Sequence, residues 1–312
     1  MKKYIITFLI GIVAFGFFKL KFNPESILLR HLEKKYNKEF VIAYGGKRSI
    51  GISSWYEAEI YPKELVGTSR EKDKYYWAKG FVEDGKGGDT YGGVLLNESA
   101  NKFYLPKLKE LFGKNVLPIL NVEGYYEKID FQEEMARRRE FYKKDPKGNF
   151  FPISGGIYIF GRVESDEDRE WYRKQIYEFV QFMKETGTFE YVALPINVLD
   201  ERVLSKEFQE NIELQQKLVD MGLKNKRKNV EIFRRERRRL MNELPKNLTP
   251  YVKLEEINKT EIRNSVKWSV YNNLLTTGIY SPKYVESNSL EEEYGIKNYD
   301  KLSDVSFTYE EY

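Results

Sequence analysis

Between Gly156 and Val198 the apolar period of the chain changes twice, from alternation to a helical repeat and back. Gly156–Val163 (GIYIFGRV) predicts a strand, and Ser165-x-x-Asp168 opens the next segment as a capping box. Tyr172, Ile176, Phe179 and Met183 then recur at spacings of four, three and four, which places them on one helix face. Gly187 ends that helix, and Phe189–Val198 returns as a strand. A strand–helix–strand unit of this length implies parallel strands joined by a right-handed crossover. The fold must contain a sheet that accommodates it.

The segments before it predict mostly antiparallel pairing. Asn23-Pro24-Glu25 reads as N-cap, N1 proline and acidic first turn of a helix that carries Ile27, Leu28, Leu32 and Tyr36 inward and ends near Asn37. Glu39–Tyr44 predicts a strand that Gly45-Gly46 breaks in a turn, and Ser53–Tyr61 and Tyr75–Val82 predict two more strands. Glu83–Gly93 (EDGKGGDTYGG) is the stretch densest in glycine; it lacks the phosphate-loop, dinucleotide and calcium-loop spacings and reads as a hairpin connection or surface loop. Phe103–Phe112 predicts a helix with Pro106 in its first turn and Gly113 as cap, and Val116–Val122 a strand that Pro118 pushes to a sheet edge. Phe131–Lys144 predicts a helix. The class is α+β, with mixed, mostly antiparallel sheets, packed helices and one βαβ-like unit near residues 156–198. The Pro/Gly-rich stretch Asp145–Gly155 is the expected boundary between an N-terminal part, 22–145, and a C-terminal part, 156–312, unless the two form one domain.

Residues 1–21 have a different chemistry. Two lysines precede an apolar run of 15 residues from Tyr4 to Phe18, and Lys19 and Lys21 follow it. A helix needs about 20 apolar residues to span a bilayer core. The run therefore suits a signal-peptide core, or a hydrophobic anchor helix lengthened by snorkelling lysines. The small-residue site Ala14-Phe15-Gly16 lies inside the run rather than after it, which favours a retained signal-anchor over a cleaved signal. The expected location is the cell membrane, single-pass with the body outside the cytoplasm; secretion after cleavage is the alternative.

Composition excludes several chemistries. Of 312 residues, 41% are hydrophobic, enough for a core, and the net charge of +4 supplies no global field for nucleic acid. There is no cysteine, so disulfides, thiolate metal sites and cysteine nucleophiles are ruled out, and His31 is the one histidine. A His-based triad or multi-histidine metal site is hard to build, and no cofactor or metal is expected. Glu57 and Glu59 point the same way on one strand, as paired catalytic carboxylates would, but the wet face of an antiparallel sheet has the same pattern. Arg162, Glu164, Asp166 and Glu167 surround a helix start, where the helix dipole alone accounts for the acidic residues.

From Ser205 the pattern is helical for a long way. Within it, Lys224–Arg239 has a net charge of +7; Lys224, Lys226, Arg227, Lys228, Arg234, Arg235, Arg237, Arg238 and Arg239 are candidates for binding an anionic lipid or wall polymer. A solvated helix paired with acidic surfaces has the same pattern. Pro245 and Pro250 bracket a turn, and Thr260–Leu275 reads as helix. The tail Ser281–Tyr312, with a net charge of −5, could neutralise the basic helix by packing on it.

The apolar opening followed by LLRHLEKKYNKEFVIAY, together with IYIFGRVESDEDREWYRKQIYEFVQFMKETG, resembles a loose group of uncharacterised bacterial envelope proteins that carry a membrane anchor or lipid signal. The resemblance covers about 50 residues and implies envelope location and small α+β folds; it carries over no catalytic residue. The chain departs from the lipid-anchored members in having no cysteine. These readings make a membrane-tethered extracytoplasmic binding or interaction protein with a protein partner the first expectation. The alternatives are a carboxylate-dependent envelope hydrolase using Glu57, Glu59 or Glu123, and an anchored cytoplasmic-face domain that grips anionic lipid through its basic helix.

Overall fold

The computed structural model describes residues 23–124, 126–144, 152–211, 217, 220, 230–245, 248, 250–263, 273–281, 283–284 and 307–308. The signal or anchor segment Met1–Lys21 lies outside them, as do Lys224, Lys226, Arg227, Lys228 and most of the acidic tail. Among the described residues no helix is long and apolar enough to cross a membrane. The protein is α+β and divides into two compact units between Val94 and Leu95.

The first unit is a helix on a four-stranded antiparallel sheet. Helix α1 (Pro24–Tyr36) starts at Asn23, whose side chain accepts from Glu25 N, and ends at Asn37 in the left-handed region, φ 52°. Strands β1 (Phe40–Ile50), β2 (Ser53–Pro62), β3 (Ala78–Glu83) and β4 (Lys86–Asp89) pair in that order. β1 does not break at Gly45-Gly46 as the glycine pair predicts. It continues, with Gly45 opposite Ala58 and Gly46 opposite Glu57, because Gly45 leaves room for a cross-strand ring: a Cβ there would lie 1.9 Å from the Tyr56 hydroxyl. The hairpin turns at Gly51-Ile52 instead, where Gly51 has φ +59°. The strand expected at Tyr75–Val82 starts later, because Lys74–Tyr76 forms a 3₁₀ turn capped by Asp73. The glycine-dense stretch resolves into a two-residue Asp84-Gly85 turn, both residues at positive φ, followed by β4.

The second unit holds a five-stranded sheet in the order β5 (Val116–Val122), β6 (Ile153–Gly161), β7 (Ala193–Asp200), β8 (Asn273–Tyr280) and β9 (Phe307–Thr308). β6 and β7 are parallel and every other pair is antiparallel. The helices are α2 (Tyr91–Phe112, which begins in the first unit), α3 (Phe131–Lys144), α4 (Asp166–Glu185), α5 (Lys206–Glu210), α6 (Val230–Asn242) and α7 (Lys259–Arg263). The crossover from β6 to β7 is α4, opened by the Ser165–Asp168 capping box, with Tyr172, Ile176, Phe179 and Met183 all buried. They join Tyr104, Leu108, Phe131 and Met135 over Leu120, Ile157, Ile159, Ile196 and Val198 in one apolar core. The opposite face is also buried at Ile119, Tyr158, Phe160 and Leu199. Covered on both faces, β7 reads as a nearly continuous apolar run.

Three boundaries differ from the sequence reading. The stretch 145–155 follows α3 in the chain, its last three residues belong to β6, and β6 pairs directly with β5 from Val116↔Ile159 to Val122↔Ile153, so it falls within the second unit. Helix α2 starts 12 residues before Phe103, leaving Pro106 in its interior; Lys102 and Pro106 both face solvent, so water can satisfy the carbonyl that the proline leaves unpaired. Asn273–Leu275 belongs to β8 rather than to a helix, and the whole strand from Asn273 to Tyr280 alternates between buried and half-buried positions.

β5 is an edge strand, and α2 covers its free edge. The amides of Leu120 and Val122 donate to Asn101 Oδ1 (3.0 Å) and Asn97 Oδ1 (2.8 Å). An i,i+4 pair on the helix thus meets alternate amides of the strand, which removes a template for pairing with another chain.

Candidate interaction surface

In β3 every second residue is buried: Ala78, Gly80 and Val82 are covered, while Lys79, Phe81 and Glu83 are exposed. Helix α1 covers the inner face. A Cβ on Gly80 would lie 2.7 Å from Leu28 Cδ2, and one on Gly87 would lie 2.6 Å from His31 Cβ, so the two glycines let the helix approach closely. At the helix end Asp89 ties the layers together. Its side chain has no exposed surface, and its carboxylate accepts from Tyr36 Oη (2.6 Å), Lys35 Nζ (2.9 Å) and His31 Nε2 (2.9 Å), and from the Tyr91 amide (3.0 Å). Burial opposes its charge, but the hydrogen bonds from Tyr36, Lys35 and His31 outweigh burial and hold the carboxyl below its ordinary range. Tyr36, Phe40 and Tyr91 pack edge to face beside it. His31 is therefore a structural tether.

The outer face is open. A bulge between Ile42 and Tyr44 turns Tyr44 outward, opposite Glu59, and Glu59 in turn faces Lys79. The next row sets Gly46, Glu57, Phe81 and Gly88 side by side, with the Phe81 ring lying over Gly88. A third row pairs Arg48 with Trp55. Tyr44 is 70% exposed and Phe81 40%. Glu57 lies 3.5 Å from Lys79 Nζ, and Glu59 lies 3.3 Å from Lys74 Nζ. The result is a mixed-charge face with aromatic islands.

Beyond the last β2–β3 rung, Tyr56↔Val82, the β1–β2 hairpin continues as a two-stranded arm. Its turn is of the two-residue kind with glycine first, which sets Ile52 at the tip. Ile50 is 74% exposed and Ile52 fully exposed, and Lys47 and Arg48 just behind them are exposed as well. At the base, the Tyr56 ring crosses Gly45 and its hydroxyl donates to Glu25 of α1 at 3.1 Å. Burial, then the hydrogen bond and charge of Glu25, push the phenol up to about 12.

The remaining sequence candidates lie in the second unit. Glu123 accepts from Ser154 Oγ at 2.5 Å, on a different unit from Glu57 and Glu59. Arg162 pairs with Glu201, Glu164 N and Ser165 N donate to Asp168, and Asp166 pairs with Arg169, so Arg162, Asp166 and Asp168 are engaged in ion pairs and capping. Arg234, Arg235, Arg237, Arg238 and Arg239 lie on α6. Arg235 and Arg239 flank Glu236, at 3.7 and 2.9 Å, and are 76% and 70% exposed, while Leu240 and Met241 are buried. Of the acidic tail, Phe307–Thr308 adds the β9 edge of the sheet. Among the described residues no group of three or more His, Asp or Glu side chains is placed to hold a metal ion.

Phe81 was within reach of sequence reasoning through its alternation with Ala78, Gly80 and Val82. The outward turn of Tyr44 was not, because a bulge leaves no periodic signature.

No protein-family model matches the chain, and no curated protein matches it. Among solved structures it is similar to a DUF5037 family protein from Ruminococcus gnavus ATCC 29149, at 12% sequence identity and a TM-score of 0.36, over 62% of this chain and 78% of that one.

Proposed function

We propose that this is a membrane-tethered interaction protein of the bacterial envelope, its body outside the cytoplasmic membrane, which recognises a protein partner through the open face of its four-stranded sheet. The observation that carries the reading is the one-sided burial of that sheet: α1 seals one face, and the other presents Tyr44, Trp55 and Phe81 among alternating Glu and Lys side chains. Aromatics ringed by both signs of charge suit a protein surface better than a polyanion. The apolar run Tyr4–Phe18 supplies the tether.

A hydrolase reading has less support. Glu57 and Glu59 each lie against a lysine, and among the described residues the carboxyls displaced from their ordinary values, Glu39, Asp89, Glu134, Glu140, Glu167 and Glu170, are all displaced downward, whereas a general acid needs the opposite. The exposed arginines of α6 favour anion binding as a second activity, which Arg235→Glu with Arg239→Glu would abolish in a vesicle-binding assay.

The test is photo-crosslinking in intact cells, with a photoreactive residue at Tyr44 or Phe81 and a control at Glu64. A discrete adduct from the first two positions and none from the third is expected; equal labelling from all three would overturn the docking face. Degradation of the body by protease added to spheroplasts is expected, and its protection would overturn the orientation.

A further inference from the structure

Of the hairpin arm only Trp55 belongs to the proposed docking face, and the arm's composition is unlike that of the sheet it leaves. From Phe40 to Tyr56 the chain has no acidic residue and two basic ones, Lys47 and Arg48. Read from the tip inward, the rungs pass from Ile50 and Ile52, through Ser49 opposite Ser54, to Arg48 opposite Trp55 and Lys47 opposite Tyr56, with Tyr44 further in on the sheet. An apolar tip followed by a zone in which cations and aromatics share the same rungs matches a membrane interface, where acyl chains give way to a headgroup level that holds anionic phosphates and also the Trp and Tyr belt.

The direction of the arm agrees. Helix α1 runs from Glu25, which Tyr56 holds at the arm's base, to Tyr36, which packs on Phe40 and Asp89 at the far end of the strands. The N-terminus of α1 is therefore at the arm's end of the unit, and the apolar segment ends immediately before it in sequence. At ~3.3 Å per residue, the four steps from Tyr56 to Ile52 carry the tip about 13 Å past the base. That reach passes a headgroup layer when α1 begins at the membrane surface.

We infer that the β1–β2 arm is a second membrane contact: Ile50 and Ile52 enter the interface of an anionic bilayer, Lys47 and Arg48 bind its headgroup phosphates, and the first unit is thereby held at a set angle to the surface. The inference rests on the tether reading and holds on either side of the membrane. A single apolar anchor leaves the body free to rotate about its linker; a second contact removes that freedom at the cost of two exposed isoleucines.

The absence of cysteine makes the test direct. Full-length protein with Ile52→Cys or, as control, Glu64→Cys is labelled with an environment-sensitive fluorophore and reconstituted into phosphatidylcholine vesicles with and without 30% phosphatidylglycerol. The expected result in the anionic vesicles is a blue-shifted Ile52→Cys signal, quenched by brominated acyl chains at least threefold more than the control. Adding Lys47→Glu and Arg48→Glu should remove that difference. Failure to co-sediment with vesicles would overturn the tether and the inference with it. Co-sedimentation with equal quenching at both positions would overturn the arm contact alone. Shielding of Ile52→Cys from aqueous iodide without quenching by lipid would assign the tip to a protein and likewise overturn the inference.

Discussion

Asp89 accepts a hydrogen bond from His31 Nε2 at 2.9 Å, so the chain's one histidine joins a helix to a strand. Lys35 lies one turn further along α1 and donates to the same oxygen, while Tyr36 takes the other. The helix presents three donors, and the carboxylate has no exposed surface from which to find replacements.

Asp89→Asn is expected to cost about 1–3 kcal/mol at pH 7, the range for losing a charge-assisted partner in a buried network. The native carboxyl is held below its ordinary value, so the unfolded chain takes up the proton more readily. The stability it contributes is therefore complete above about pH 4 and is lost as the pH falls through the native value. Thermal melts at pH 7 and pH 3 check this: the variant should lose less stability between the two than the parent does.

Glu134 is fully buried, and its carboxylate accepts from Arg137 Nη2 (2.6 Å), Arg138 Nε (2.9 Å) and the amides of Glu127 and Lys128 (both 3.2 Å). Arg138 is itself 3% exposed. Glu134→Ala removes the carboxylate partner of that buried guanidinium, whose Nη2 still donates to the Glu123 carbonyl (2.8 Å), and is expected to cost about 3–5 kcal/mol, with Glu134→Gln in between. Urea denaturation monitored by tryptophan fluorescence measures the difference.

Asn101→Leu should unpair the Leu120 amide while leaving the Asn97–Val122 bond in place. The expected cost is about 1–3 kcal/mol. Hydrogen exchange gives the sharper readout, with protection lost at Leu120 and kept at Val122.

Gly87→Ala and Gly46→Ala are the same substitution in the same sheet with opposite surroundings. The new methyl at Gly87 lies 2.6 Å from His31 Cβ, on a helix that cannot yield locally; at Gly46 it meets nothing within 4 Å. The first should cost about 1–3 kcal/mol, and the second should fall within roughly 0.5 kcal/mol of the parent. Paired melting curves decide it.

The parts legible in the sequence are those with local causes. The α4 crossover could be read because its cap, its apolar stripe and its terminal glycine are all near one another in the chain, and each is found in the structure. Gly45-Gly46 misled because glycine marks a place without a side chain, and whether a turn or a neighbouring ring uses that place depends on Tyr56, eleven residues beyond Gly45. The first half of α2 was missed for a related reason: Thr90 and two glycines obscure its start, and Asn97 and Asn101, polar residues that weaken a helical pattern, are there for a strand edge that comes later in the chain.

The sequence by itself determined the class of fold, the βαβ unit, the exclusion of thiol chemistry and the presence of an apolar N-terminal run, because composition and period are properties of the chain alone. Only the tertiary structure decided that Glu57 and Glu59 lie against lysines, that His31 tethers a helix, and that Ile50 and Ile52 stand on an arm beyond the sheet. A side chain's partners are set by which strands and helices meet across long separations, and a single sequence contains no distances.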